Sequence, residues 1–309
     1  MDLKNKISTE ISDKKLFLSE TAPGLLEKYP IDNYSDEIRR YTERDYYNYT
    51  SHHLAAIFKD ISEKYGQAVL AAYHKMALAA LMSETLKLIS VKPFPGDINV
   101  LITDWFHRVI DDFSKQPDDF YDHENDLFIK DRGVCSLRII PAGAQVVTTS
   151  YISRGYLINP NPVKTIGNIL FTVLKMRGFG PFFEIHTDNR CLEEFNPEGW
   201  NRCYARIASL LKENKRIKGM AGGSWFYDPH LEKISPHLSY LRELPVKNRA
   251  GIFKIGSSRN SINDALSTSR TRRKLYEQGR YLPVSYLLIW CRNDLIYWAD
   301  NYGSNRPGE

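Results

Sequence analysis

The sequence predicts an α/β protein with a helical N-terminal part followed by a mixed sheet flanked by helices. Over the first third of the chain, apolar residues recur at three- and four-residue steps, the period of one helix face. From about residue 135 onward, short β-prone segments alternate with helical ones, which implies crossover connections within one sheet. We therefore expect a loosely held polar arm at residues 1–45, a helical part at 46–126 and an α/β domain at 127–309.

The composition is that of a globular protein: the 309 residues are 42% hydrophobic and 26% charged. No apolar stretch approaches the roughly 20 residues of a membrane span, so no membrane partner is expected. Four cysteines without metal-ligand spacing, and a charged start without an apolar signal region, favour a reducing, cytoplasmic location. The net charge of +5 is mild for a nucleic-acid-binding domain, and no nucleic-acid partner is expected.

The helical part begins after the polar arm. The run from Ser51 to Ile89 has the helical period, with Gly66 as a weak point, and the proline-rich segment 92–96 ends it. A further helix is expected over Asn99–Phe113, and the acidic segment Gln116–Asp126 is expected to be a loop.

Strands and helices alternate in the rest of the chain. Strands are expected at Cys135–Ile140, Gln145–Ile152, Phe182–His186, Ile217–Tyr227, Ile252–Ile255 and Val284–Trp290. Helices are expected to open at Asn161 and Asn196 and to run from about Ser261 to Gln278. Asn161, Asn196, Asp228 and Ser235 each precede a proline, which is typical of an N-cap followed by the first helical residue. Their polar side chains are therefore interpreted as caps.

Candidate acid/base residues follow the strand at Phe182–His186. His186 and Asp188 are two residues apart and would share a strand face at its carboxyl end, where α/β sheets bind ligands. They are candidate catalytic residues, together with Glu184, whose role follows from the family resemblance described below. With His237, His186 and Asp188 would form the ligand set of a non-haem iron oxygenase. A hydrogen-bonded loop histidine is the alternative interpretation of His186, and no metal site is predicted.

Two glycine-containing segments are also candidates. Residues 256–261 join a strand to a helix N-terminus, an arrangement that favours an anion. Arg259 in this turn, with Arg270, Arg272 and Arg273 further on, would add charge-assisted bonds to a phosphate. The alternative is a solvated helix face that carries arginines. Gly222 and Gly223 interrupt a strand, which indicates close approach of a ligand or of another backbone.

The order of elements resembles the core of the GCN5-related N-acetyltransferases. The resemblance covers roughly 80 residues, through Tyr151–Ile158, Pro162–Asn168 opening Ile169–Met176, Phe182–His186, a second helix and the strand at Ile217. In that family a strand splays, and a glycine-containing turn at the next helix holds the pyrophosphate of acetyl-CoA. The resemblance implies an acyltransferase fold.

The same resemblance implies roles for individual residues. Lys164, Gly167 and Asn168 would face the cofactor, and Glu184 or His186 would deprotonate an amine. Gly167 alone matches the family's turn, since Thr165 stands at its first glycine and Pro162 at its Arg or Gln.

The predicted function is a cytoplasmic transferase. It would move an acyl group from acetyl-CoA or another acyl-CoA to a small-molecule or peptide amine, with Arg259 as a further cofactor-binding residue. Two alternatives stay open: the iron oxygenase, and a non-catalytic α/β binding protein. The binding protein would expose a helix face at Leu54–Met76 to its partner.

Overall fold

The computed structural model describes residues 2–41, 48–158 and 161–304. The chain divides into two compact units, Met1–Pro141 and Ala142–Glu309. The first is helical and the second holds a mixed sheet with helices, in agreement with the predicted fold class. In the described residues, no helix combines the length and the apolarity that a membrane crossing requires.

The first unit is built around one buried helix. Its elements are α1 (Leu3–Thr21), α2 (Leu25–Lys28), α3 (Ile31–Arg40), α4 (His52–Tyr65), α5 (Gln67–Val91), α6 (Ile98–Asp112), α7 (Asp126–Cys135) and the short strand β1 (Ile140–Pro141). Helix α5 is apolar on all sides, and α1, α3, α4, α6 and α7 pack against it. A helix that is apolar on all sides is normally buried. In α5, every side chain from Val69 to Ala79 is buried.

The prediction of a loosely held arm is wrong for residues 3–40, which form α1 to α3. Leu3, Ile7 and Leu18 of α1 are buried although most of the helix is polar. So few apolar residues give a weak periodic signal, but they are enough to dock α1 on the apolar surface of α5. The arm's Met1 and residues 42–45 lie outside the described residues.

The helical run of residues 51–89 is two helices. Gly66 has φ +89 and separates α4 from α5, so the expected weak point is a break. Leu54, Phe58 and Ile61 are buried, as is Met76. The expectation of an exposed helix face at Leu54–Met76, made for the binding-protein hypothesis, is therefore wrong.

The second unit contains the following elements. They are β2 (Gln145–Ser150), α8 (Pro162–Leu170) continued by a π-helical segment (Phe171–Met176), β3 (Phe182–Thr187), α9 (Pro197–Glu213), β4 (Gly219–Ser224), α10 (Leu231–Ile234), α11 (Tyr240–Lys247), β5 (Gly251–Gly256), α12 (Arg259–Ser267), α13 (Arg270–Glu277), β6 (Ser285–Cys291) and α14 (Arg292–Ser304). Five of the six predicted strands are present. The strand expected at Cys135–Ile140 is confirmed only at Ile140, where β1 begins. The Asn125 side chain caps a helix that runs to Cys135, and residues 136–139 form turns and bends.

The five strands of this unit lie in the order β2–β3–β4–β6–β5. β3 and β4 are parallel, and the other neighbouring pairs are antiparallel. One sheet face carries a core that includes Phe182, Ala221 and Ile289. On the other face Trp290 contacts Tyr204 of α9 and Trp298 of α14.

The capping predictions hold for two of the four residues. The side chain of Asn161 accepts a hydrogen bond from Val163 N at the start of α8, and that of Asn196 accepts one from Gly199 N at the start of α9. Asp228 makes a turn by accepting from His230 N. Ser235 stands at the N-cap position of a short helical turn that begins at Pro236, but its side chain makes no capping hydrogen bond, and its buried hydroxyl accepts one from a side chain described below.

Candidate functional site

The central feature of the second unit is a parallel strand pair that separates. Phe183–Glu184 of β3 is paired in register with Met220–Ala221 of β4. β3 nevertheless continues to Thr187 and β4 to Ser224, so their carboxyl halves lie outside the ladder. Ligands of open α/β sheets bind outside the carboxyl ends of parallel strands. The gap beyond the paired residues is therefore the candidate site.

Two cavities open at this gap, and Gly223 lines both. The Glu184 cavity, of about 500 Å³, is lined by Glu184, Lys254 and several residues between Ser150 and Ile158. The Arg272 cavity, of about 630 Å³, is lined by Arg272, by five serines and two threonines, and by aromatic side chains. Both volumes fall in the range of small-molecule sites.

Glu184 is the only carboxylate among the described residues that line the Glu184 cavity. Side chains alternate along β3, so Glu184 shares a face with the buried Phe182, while Phe183 and Ile185 point to the other face. Glu184 is half-buried, and no residue in the described ranges hydrogen-bonds or ion-pairs with its carboxylate. A half-buried carboxylate without a protein partner is suited to bind a cation or to accept a proton.

The other two predicted catalytic residues have protein partners. His186 shares the face of Glu184, and its Nε2 lies 2.9 Å from the hydroxyl of Thr148 on β2. Asp188 is buried and accepts hydrogen bonds from the backbone and the guanidinium of Arg190, with Nη2 2.8 Å from Oδ2. Neither residue lines either cavity. The structure thus brings one of the three, Glu184, to a cavity, and Asp188 holds the turn after β3.

Arg272 is a buried cation without a carboxylate partner in the described chain. Its guanidinium donates to Ala265 O (2.6 Å), Ser235 Oγ (3.0 Å) and Thr268 Oγ1 (2.8 Å), and it lies 4.5 Å from the ring centroid of Trp225. A guanidinium has five N–H groups and stays charged at neutral pH. Burial lowers the pKa of Arg272. The cavity lining also includes one carboxylate, Asp264, which makes no ion pair with Arg272 in the described chain. The guanidinium of Arg272 and the hydroxyls are the groups that would bind an anionic ligand.

The glycine turn that the family resemblance implies is not formed at Gly167. The residue lies inside α8 with ordinary helical geometry, and no atom lies within 4 Å of the position its Cβ would take. Lys164 is exposed on the same helix, and the Asn168 side chain donates to Tyr156 O (2.9 Å). Asn161 caps a regular helix before Gly167 is reached, and the cofactor role of these three residues stays a prediction.

Arg259 lies at the first position of α12 and is exposed. Ser258 and Ser261 form a capping box there, so the side chain of Ser258 already accepts from Ser261 N at this helix end. Arg259 therefore lies on a different helix from Lys164, Gly167 and Asn168 of α8. Neither Arg259 nor any of those three lines the Glu184 or the Arg272 cavity.

The iron ligand set considered from the sequence is not assembled. Asp188 is engaged by Arg190, whereas His237 lines the Arg272 cavity without His186. Within the described ranges, no group of three or more His, Cys, Asp or Glu side chains is arranged to hold a metal ion.

Sequence reasoning missed Lys254, although a signal for it was present: it is a single charge inside the apolar strand Ile252–Ile255. The sequence placed Tyr151–Ile158 in the element order of the family resemblance but did not predict that residues of this segment line the cavity with Glu184, because that proximity depends on the tertiary fold.

Comparison of the chain with protein-family models, with curated proteins and with solved structures gives no significant match. The interpretation of the site therefore depends on its geometry and chemistry.

Proposed function

We propose that the second unit is an acyltransferase, which moves an acyl group from a CoA-type donor to an amine of a small molecule or peptide. The transfer would take place at the gap between β3 and β4, with Glu184 as the general base. The observation that carries the proposal is the carboxylate of Glu184, which has no partner among the described residues, in a cavity that shares Gly223 with a second cavity lined by Arg272. Group transfer requires two reactants to be held close together, and two cavities on opposite sides of one gap would hold them in this way.

The Glu184 cavity is the proposed acceptor side. An amine arrives at neutral pH as an ammonium ion, and an unpaired carboxylate attracts it and is positioned to take its proton. The cavity is open to solvent next to Lys254, which is exposed, so a proton on Glu184 has a route to water. Tyr156, also on this cavity, has its hydroxyl in contact with Thr172 and Met176 Sδ. Burial raises the pKa of Tyr156, which favours the neutral phenol and leaves Glu184 as the base.

The Arg272 cavity is the proposed donor side, and its residues fit a CoA-type molecule. Such a donor supplies a thioester acyl group and several phosphates. Arg272 offers a buried guanidinium with N–H groups beyond its three protein bonds, and the serine and threonine hydroxyls offer further donors. Gly223 lines both cavities and contributes no side chain to either.

The chemistry assigned to the protein is simple. Glu184 binds the ammonium and removes its proton, which leaves a neutral amine directed at the gap. Arg272 and the hydroxyls hold the donor's anionic part away from the acceptor, so that the acyl end lies at Gly223. This proposal retains the cytoplasmic location predicted from the sequence and requires no nucleic acid and no metal.

The test measures acyl transfer by the purified protein from acetyl-CoA to a panel of amines and peptides, with the release of free thiol as the signal. We expect Glu184→Gln to lower kcat/KM by about a hundredfold or more at neutral pH, with the affinity for CoA unchanged, because the amide cannot take a proton. Glu213→Gln is the matched control, since Glu213 is exposed at the end of α9. Turnover by Glu184→Gln equal to that of the control would contradict the proposal.

A separate measurement tests the donor side. Thermal shift with CoA and acetyl-CoA reports binding without turnover. We expect a shift in the native protein and in Glu184→Gln, and a smaller one in Arg272→Lys, in which the fork of N–H donors is lost while the charge remains. The absence of any shift in the native protein would contradict a CoA-type donor.

A further inference from the structure

Helix α8 turns its apolar side to solvent. Six large aliphatic residues of α8 and the π-helical segment after it are exposed: Val163, Ile166, Ile169, Leu170, Val173 and Leu174. We name this set the α8 stripe. No residue of α8 itself is buried. An amphipathic helix in a globular protein normally turns its apolar side inward, so the exposed stripe indicates a surface that something else covers.

A strongly basic basin begins where the α8 stripe ends. Its lining includes seven Lys and Arg side chains, among them Arg177, Lys215 and Arg216, and a single carboxylate, Asp294. Leu174 belongs to both the stripe and the basin lining. Aliphatic side chains and clustered cations therefore form one continuous surface.

Most of the positive charge in the basin has no carboxylate partner among the described residues. Asp294 pairs with Lys175 at 3.1 Å and with Arg249 at 3.7 Å. Arg177, Lys215 and Arg216 are exposed, and within the described ranges none of the three forms an ion pair. The basin therefore presents a net positive field toward solvent.

We propose that this surface docks the protein onto an anionic lipid bilayer. The α8 stripe would lie in the plane of the interface, with its aliphatic side chains at the level of the acyl chains. The basin would then meet phosphate-bearing headgroups, whose negative potential attracts clustered Lys and Arg. The proposal concerns contact with one leaflet, because α8 and its π-helical continuation, Pro162–Met176, are too short to span a bilayer.

The chemistry of the surface favours a bilayer over other occupants. The α8 stripe is aliphatic throughout and contains none of the aromatic residues that anchor most protein interfaces. A second copy of this chain would bring its own basin toward the first, which places like charges together. Nucleic acid would use the basin but leave the α8 stripe exposed. An anionic bilayer complements both parts at once. This inference revises the sequence prediction that the protein has no membrane partner, and it does not depend on the acyltransferase proposal.

Sedimentation with vesicles tests the inference on the full-length protein. Vesicles of phosphatidylcholine alone are compared with vesicles that contain about one third phosphatidylserine. We expect binding to the anionic vesicles at least about tenfold stronger, and weaker binding at salt on the order of 0.5 M. Equal binding to the two kinds of vesicle, or none to either, would overturn the inference.

Matched variants localise the contact. Val163→Ser with Val173→Ser removes two side chains of the α8 stripe that are 76% and 63% exposed, and Val91→Ser with Val100→Ser makes the same change at positions 87% and 58% exposed in the first unit. Arg177→Glu with Lys215→Glu reverses two charges of the basin, and Arg270→Glu with Lys274→Glu does so on α13, where both residues are exposed.

We expect each α8-stripe or basin variant to weaken vesicle binding by about tenfold or more, and its matched control to leave binding within about twofold of the native protein. Circular dichroism verifies that all four variants fold. Equal loss in variants and controls would contradict the inference. A dimer in the native protein that Val163→Ser with Val173→Ser dissociates would assign the α8 stripe to a second copy and would also overturn it.

Discussion

At the residue scale, the function of the site depends on which polar groups have partners. The sequence offers Glu184, His186 and Asp188 as equals. In the structure Arg190 engages Asp188 and Thr148 contacts His186. Glu184 retains a carboxylate with no protein partner among the described residues. Glu184 is half-buried and lines a cavity, so its carboxylate is accessible to a ligand.

Gly222 and Gly167 differ in whether packing requires a glycine at that position. A Cβ on Gly222 would lie 2.7 Å from Cγ1 of Ile185 across the strand gap, whereas a Cβ on Gly167 would meet nothing within 4 Å. We expect Gly222→Ala to destabilise the protein by about 1–3 kcal/mol, because Ile185 must shift. Gly167→Ala should stabilise it by about 0.5–1 kcal/mol as an alanine inside a helix.

Urea unfolding of both variants measures these free energies. Thermal shift of Gly167→Ala with CoA gives a second measurement, and we expect the shift to be the same as that of the native protein. A loss of CoA binding in Gly167→Ala without loss of stability would restore the cofactor role that the family resemblance implies for that residue.

Among the elements, α5 organises the helical unit, because it is buried and the other helices pack around it. A central helix that is apolar all round carries His74 into the core, where Nδ1 lies 3.2 Å from the hydroxyl of Tyr34. Burial, with a further contribution from the charge of Arg132, lowers the pKa of His74 well below its ordinary value. The folded protein thus keeps His74 neutral at pH values at which the unfolded chain protonates it.

This difference predicts acid destabilisation of the unit. Above about pH 6.5, the ordinary value for histidine, both states hold His74 neutral and its contribution is constant. Below that pH the unfolded chain binds a proton that the folded chain excludes, so the free energy of unfolding falls by up to about 1.4 kcal/mol per pH unit. We expect His74→Gln to lack this pH dependence. The difference in the free energy of unfolding between the native protein and His74→Gln should therefore be smaller at about pH 5 than at pH 7.5.

Urea unfolding of the native protein and His74→Gln at the two pH values checks the prediction. His52→Gln is the control, since His52 is exposed at the start of α4. A difference between native and His74→Gln that is the same at both pH values would show that His74 titrates alike in the folded and unfolded chains.

At the scale of the whole molecule, the chain offers no metal-binding group among its described residues. We therefore expect protein purified with EDTA to keep its Tm within about 1 °C of untreated protein. Elemental analysis of the same two samples is the companion measurement. Stoichiometric iron in the untreated sample, with a Tm that falls on its removal, would revive the oxygenase hypothesis.

Local patterns determine most of the second unit. Asn161 and Asn196 cap α8 and α9 as their pairing with proline predicts. The β-prone segment Val284–Trp290 forms β6. These features could be predicted because each depends on neighbours within a few residues. Where the local signal was weak, as in α1 with its three buried apolar residues, the prediction failed.

The sequence by itself determines the α/β class, the order of most elements and the presence of Glu184 on a strand, since all three follow from short-range periodicity and capping. Only the tertiary structure shows that β3 and β4 pair in parallel over two residues each and then separate. It also shows that, within the described residues, Asp188 has a partner and Glu184 has none, and that the apolar side of α8 is exposed. Each of these depends on contacts between residues distant in the chain, which periodicity does not record.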